Sequence, residues 1–404
     1  MRTLVSTVIL ATALAAAGPA AGAADPDPAA AGCVRDVDAL FWGGAQWLVL
    51  GEALAERPSP CAAYTMTVPP QDDDRTTFRQ MERFDELRAL GITPVAEIRW
   101  DSPTGWRAWV VGGHPRWMPG RTFYVAGQTA RRRMAVRGLD VEAGETWAFN
   151  ELKPEVLAGE PGARAEVLEF LRGLYDGDPG MPKARGIVFN IFVPATSGEA
   201  EVAAYKASLK SWLMDEPFWA ELGGYVDVFA NEVYASSLAW GEDGASLANR
   251  VRRLNDYFHH MTVLAEDAPK ELDAARSFLR RTYLPLANAA WPSVLVGDTD
   301  RLSPDLMRRF VSTQAYALLH YPDSNPETAF RAGIGFGWAP VMSHAKYSPV
   351  GRDEIAARLA EALQAGTAGE PKDACGPEGA RIWCNGVVEG AELNKAWTVF
   401  RDWD

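Results

Sequence analysis

Two stretches of this chain close on the same dipeptide. Thr146-Trp147-Ala148-Phe149-Asn150-Glu151 and Val226-Asp227-Val228-Phe229-Ala230-Asn231-Glu232 each run apolar and strand-like into Asn-Glu. A carboxylate at the carboxyl end of a buried strand stands where barrel enzymes keep their chemistry. Two of them, on two strands, supply the pair that glycoside hydrolysis uses. One protonates the leaving oxygen, and the other attacks the anomeric carbon or activates water. Glu151 is the candidate acid, and Glu232 the candidate nucleophile or base. Neighbouring strand residues point to opposite faces, so Asn150 and Glu151 can reach one mouth only where the strand frays into loop.

Further candidates surround this pair. Glu97, Arg99 and Asp101 alternate onto one face of an earlier strand. Inside a barrel, Glu97 and Arg99 would form a buried ion pair with an orienting role; the alternative is a stabilising pair at the rim. Asn150, Asn231, Tyr234, Trp100 and Trp338 are expected to shape a binding site. Asp298 and Asp300 are the other possible nucleophiles, although Ser303-Pro304 just beyond them reads as a helix start. The five histidines are scattered, and neither cysteine pair has C-x-x-C spacing, so no metal or cofactor is expected. No H-E-x-x-H, G-x-S-x-G or phosphate-binding loop is present.

The elements that must hold these residues alternate between short apolar runs and helical patterns. Strands are expected at 46–50, 64–68, 93–98, 146–150, 186–192, 226–230, 293–297 and 333–338. Helices are expected near 77–90, 127–137, 163–175, 200–222, 246–265, 269–289, 302–319 and 352–365. Eight strands with interleaved helices imply an α/β protein, a (β/α)8 TIM-type barrel over 41–370. A short tail, 371–404, carries Cys375 and Cys384 and reads as a small disulfide-pinned appendage packed on the barrel.

Phe149-Asn150-Glu151 at the end of the fourth strand resembles the Asn-Glu of the clan A retaining glycosidases. That resemblance implies Glu151 as acid/base and Asn150 as a sugar ligand. It also implies that Trp338, ending the eighth strand, forms the floor of the sugar site. Glu232 departs from the pattern, because it falls on the sixth strand whereas the clan's nucleophile ends the seventh. Other barrel glycosidases pair carboxyls from strands four and six, but with Asp at both places.

The amino terminus reads as a secretory signal peptide over 1–24. Arg2 supplies the positive start, an apolar run spans 4–17, and Ala21-Gly22-Ala23 is a small-x-small cleavage site. An Ala/Asp/Pro-rich leader over 25–40 follows. A bacterial exported protein is therefore expected, extracellular or in the cell envelope and free of the membrane once the signal is removed. Export permits disulfides, and sequential pairing of Cys33 with Cys61 and of Cys375 with Cys384 closes the shortest loops. The net charge of −13 repels nucleic acid and anionic lipid. Fifteen tryptophans tilt the reading toward carbohydrate, since indole stacks on sugar faces. The expectation is a secreted, monomeric glycoside hydrolase acting on a polysaccharide or glycoside. The rival is a non-catalytic exported barrel that binds glycan or a cell-envelope partner. An open cleft joining Glu151 and Glu232 separates the two.

Overall fold

The computed structural model describes residues 37–42, 47–59, 62–68, 84–100, 105–113, 119–152, 162–191, 215–235, 282–288 and 333–336, together with 357, 360, 361 and 364. Eight strands close into one ring: β1 (Val37–Trp42), β2 (Ala62–Val68), β3 (Thr93–Arg99), β4 (Thr146–Leu152), β5 (Gly186–Ile191), β6 (Val226–Ala235), β7 (Thr282–Asn288) and β8 (Gly333–Phe336). Every pairing is parallel, and β8 returns to pair with β1. Carried from pair to pair, the register comes back to β1 displaced by about eight residues, the shear of a (β/α)8 barrel. Closure leaves no open edge, so ladder donors and acceptors of each strand find partners on both sides.

Among the described residues six helices occupy connections of the ring: α1 (Trp47–Ala55), α2 (Phe84–Ala89), α3 (Trp106–Val111), α4 (Phe123–Val136), α5 (Ala163–Asp176) and α6 (Glu216–Tyr225). Local chemistry starts several of them. Thr122 caps α4 by accepting from the Val125 amide at 3.2 Å, and Asp215 caps α6 by accepting from the Phe218 amide at 3.2 Å. Helices α4 and α5 touch backbone to backbone. A Cβ placed at Gly127 would strike the Phe170 carbonyl, and one at Gly173 the Tyr124 carbonyl. The paired glycines are what let the two helices come this close.

The shell between strands and helices is aromatic. Trp100 meets Phe123, Phe149 and Phe170 at ring-centroid distances of 5.5, 5.6 and 5.0 Å. Trp147 lies flat over Gly186, where any Cβ would collide with its ring, and its indole N–H donates to the Ala184 carbonyl at 3.0 Å. Below β4, Arg88 ties α2 to the loop before the strand. Its Nη2 donates to Glu145 at 2.8 Å and to the Gly138 carbonyl at 2.7 Å, and Glu145 also accepts from the Asp140 amide. Glu145 is buried, so losing the guanidinium would strand a desolvated carboxylate.

The strand order differs from expectation at two places. The first strand is Val37–Trp42, which begins inside the span read as leader and runs past its end at 40, and the run expected as a strand at 46–50 begins α1. A short apolar run has no periodicity to separate strand from buried helix. The seventh strand is Thr282–Asn288, where a helix was expected, not 293–297. Helix-forming residues at 269–281 hid it, because the helical pattern was carried on across it to 289. The signal segment, all four cysteines and the 371–404 appendage lie outside the described residues. Among the described residues no helix is long and apolar enough to cross a membrane.

Two outcomes follow for stability. Gly173→Ala should lower the unfolding free energy by about 1–3 kcal/mol, because α4 and α5 must separate to admit the methyl; urea denaturation measures it. The second concerns Tyr64, whose buried hydroxyl has no hydrogen-bond partner. Burial pushes its pKa up to about 12, as burial and then the bond to Glu221 do for Tyr225. A raised pKa means that stability is full below pH 10 and is lost as pH climbs toward 12. Tyr64→Phe should flatten part of that alkaline loss and cost nothing at neutral pH. Urea midpoints at pH 8 and 11 check both.

Candidate active site at the carboxyl end of the barrel

The inside of the ring is defined by residues that meet across it. Leu40, Val95, Ala148, Ile187 and Phe189, from four different strands, form one buried cluster with Val228 of a fifth packed on it. Alternation then assigns faces. Residues in step with Val95 on β3 are Glu97 and Arg99, and the residue in step with Ala148 on β4 is Asn150. Glu97 is fully buried and Asn150 nearly so. The Asn150 Nδ2 donates to Glu97 Oε1. A polar pair thus sits above the apolar cluster, toward the carboxyl ends of the strands.

At this level β4 carries an extra residue. Phe149 pairs with Val188 and Leu152 with Asn190, so two residues of β4, Asn150 and Glu151, stand opposite one residue of β5, Phe189. This is a β-bulge, which breaks strict alternation and re-aims the residues it contains. The backbones of Asn150 and Glu151 thus stand inside the paired strand and not in a frayed end. Both lie within β4, and the strand continues to Leu152.

Register also relates β4 to β6. The interior cluster shows how level changes with strand tilt: Val95 lies two residues beyond Thr93, the residue in register with Leu40 through Thr65. The advance is one residue per strand. The same step from the bulge runs through Phe189 and its partner Ala230 to Glu232. The backbone positions of Glu151 and Glu232 are therefore level, at the same end of the barrel, on strands separated only by β5. Two strand spacings put their Cα atoms roughly 10 Å apart. Asn231 is in register with Asn190, and Tyr234 with Ala287 of β7.

Other residues singled out from the sequence fall elsewhere. Trp100 is 2% exposed and belongs to the aromatic shell outside the ring, so it packs the fold and does not line a sugar site. It follows Arg99 by one position, and alternation turns it to the helix side. Arg99 is partly exposed at the end of β3, in register with Asn150. Asp298 and Asp300 lose the basis of their candidacy, because β7 closes at Asn288; they and Trp338 lie outside the described residues. Strand β7 itself contains no carboxylate.

One interior residue went unnoticed in the sequence. Thr67 of β2 is fully buried, in register with Val95, and among the described residues its hydroxyl has no hydrogen-bond partner. The Oδ1 of Asn150 is a second buried polar atom without one. Alternating Thr65 and Thr67 was the available signal. Only the register could show that the second lies deep in the ring.

A cavity of about 420 Å³ opens at the opposite, amino-terminal end. Leu40, Val95, Ile187 and Val228 form its floor, and Lys183, Arg185 and Asp227 stand at its rim. The rim charges are spent on one another or on neighbours: Arg185 faces Asp227 at 3.9 Å and Lys183 faces Asp176 at 3.2 Å. It is remote from the Asn-Glu positions. Among the described residues no group of three or more His, Cys, Asp or Glu could hold a metal ion.

No family model matches the chain, and no curated protein matches it. Solved structures align with it over most of its length. An endo-β-N-acetylglucosaminidase from Cordyceps militaris aligns at TM-score 0.40 and 11% identity, over 83% of this chain and 93% of that one. A fungal β-1,4-galactanase aligns at 0.40 and 12%, over 82% and 88%. A family 51 α-L-arabinofuranosidase from Bifidobacterium longum aligns at 0.39 and 8%, over 74% and 66%. The barrel assignment rests on the strand register and not on these alignments.

Thr67→Val keeps the shape of the side chain and removes a buried hydroxyl that bonds to nothing. It should raise stability by about 1 kcal/mol, read from the urea midpoint. A loss of similar size would show that the hydroxyl is satisfied in solution.

Proposed function

We propose that the protein is a glycoside hydrolase with its active site at the carboxyl mouth of the barrel. One observation supports the reading: the register shift in β4 sets the backbones of Asn150 and Glu151 opposite Phe189, whose partner Ala230 stands two residues before Glu232 on β6. Glutamate side chains from such positions span the range of carboxyl separations that glycosidases use, about 5–9.5 Å.

In this reading Glu151 gives its proton to the glycosidic oxygen as the bond to the anomeric carbon breaks. Glu232 attacks that carbon directly, or takes a proton from a water that does. A separation of about 5–5.5 Å makes the reaction retaining through a covalent glycosyl-enzyme; about 6.5–9.5 Å leaves room for the water and inverts. Asn150 meets a sugar hydroxyl beside the reacting carbon, and Asn231, Tyr234, Arg99 and Trp338 line the mouth. The substrate is a carbohydrate, and the protein acts as a monomer. It works outside a bacterial cytoplasm after removal of residues 1–24, with Cys33–Cys61 and Cys375–Cys384 as its disulfides.

The mature protein should hydrolyse at least one member of a polysaccharide and aryl-glycoside panel. Glu151→Gln and Glu232→Gln should each cut kcat by about 10²–10⁴-fold with unfolding midpoints unchanged. Full activity in either variant removes that residue from the chemistry. A wild-type protein that binds glycan and turns over nothing on the panel is the non-catalytic barrel.

A further inference from the structure

We propose that Glu97 is a positioning residue that fixes which end of the Asn150 amide the substrate meets. A side-chain amide has one donor end and one acceptor end, and nothing in its shape prefers either. Glu97 breaks that symmetry. The atom directed at its Oε1 is the Asn150 Nδ2, which donates while the Glu97 oxygen accepts. The amide nitrogen is thereby turned down toward β3. Its partner atom, Oδ1, is left buried with no hydrogen bond among the described residues. Buried acceptors without partners are rare in folded proteins, and a water, an ion or a ligand group can complete the set.

Position supports the assignment. Glu97 and Asn150 share the inner face of adjacent strands, and Glu97 is fully buried. It therefore cannot meet substrate itself, and it acts through Asn150. The bulge that begins at Asn150 leaves this residue without ordinary alternation to aim it, so the bond to Glu97 is what holds its orientation. The chemical consequence concerns substrate choice. A locked Oδ1 accepts and never donates, so the ligand must present an O–H or N–H at this point. An ether, fluorine or carbonyl there would leave two acceptors facing each other.

This inference rests on the proposed sugar site for its ligand, while the Glu97–Asn150 lock stands apart from it. The experiment has two arms to match. In the first, Asn150 side-chain amide protons are followed by hydrogen exchange in unliganded wild-type, Glu97→Ala and Glu97→Gln protein. The lock predicts exchange at least about tenfold slower in wild type than in Glu97→Ala, with both variants folded by their unfolding midpoints. Equal rates in wild type and Glu97→Ala overturn the proposal whatever the substrate is.

In the second arm, 4-nitrophenyl glycosides are compared with analogues in which the hydroxyl beside the anomeric carbon is replaced by fluorine. The electronic effect of fluorine is common to all variants and cancels in the ratio. Wild type should prefer hydroxyl over fluorine by about tenfold more than Glu97→Gln does. The glutamine can donate to Oδ1 and so free Nδ2 to face the mouth. The change should appear in kcat more than in KM. An identical preference in the two proteins overturns the assignment of polarity. If wild type hydrolyses none of the glycosides, the glycosidase reading fails and the first arm alone decides the lock.

Discussion

Closure of the strand ring is the constraint on which the rest depends. Each strand is held by two neighbours, so a local error in one cannot be discharged at a free edge. The extra residue in β4 is consequently trapped between fixed registers on both sides, with Phe149 and Leu152 held to consecutive even-step partners on β5. The chain absorbs it as a bulge. The same closure makes level a property of the whole molecule. Once the tilt is set, positions on β4 and β6 that are far apart in sequence are brought to one height without any contact between them.

The interior of the ring changes character along its axis. Toward the amino end, Leu40, Val95, Ile187 and Val228 pack as hydrocarbon around a cavity. Toward the carboxyl end, Glu97 and Asn150 are buried polar groups. Burying them costs free energy that an all-apolar core would not spend, and only part is returned by the bond between Glu97 and Asn150. Natural proteins concentrate such locally unfavourable choices where function needs them. Outside the ring the opposite holds. Trp100, Phe149 and Phe170 fill the space between strands and helices with interlocking rings, and Gly127 and Gly173 let α4 and α5 close over them. A well-packed shell is what permits an interior that is not optimised for stability.

Much of this architecture was legible in the amino-acid sequence. Strands two to six and eight were found within a few residues, because runs such as Tyr64–Val68 and Gly186–Phe192 are apolar, short and bounded by turn residues. The α/β alternation followed from their spacing. Strands one and seven were misplaced for opposite reasons. Trp47–Leu50 is apolar without period and could be either element, and the helical pattern before residue 282 was carried on over a true strand. The error at β7 spread to function, since Asp298 and Asp300 were candidates as the end of the seventh strand, and that strand is Thr282–Asn288. The pair of Asn-Glu endings, by contrast, needed no fold to be noticed.

What the sequence determined by itself was composition and local pattern: which stretches are apolar at strand length, where helices start, and that two carboxylates follow strands. Those are short-range properties, set by side-chain chemistry and backbone preference within a few residues. Register, level and face were decided only in the tertiary structure. That Asn150 and Glu151 share one partner on β5, that Glu232 stands level with them, that Trp100 turns outward and that Glu97 bonds Asn150 all depend on strands more than fifty residues apart or on a ring of eight closing on itself. No local preference encodes the offset between two strands, because it is the sum of every pairing around the barrel.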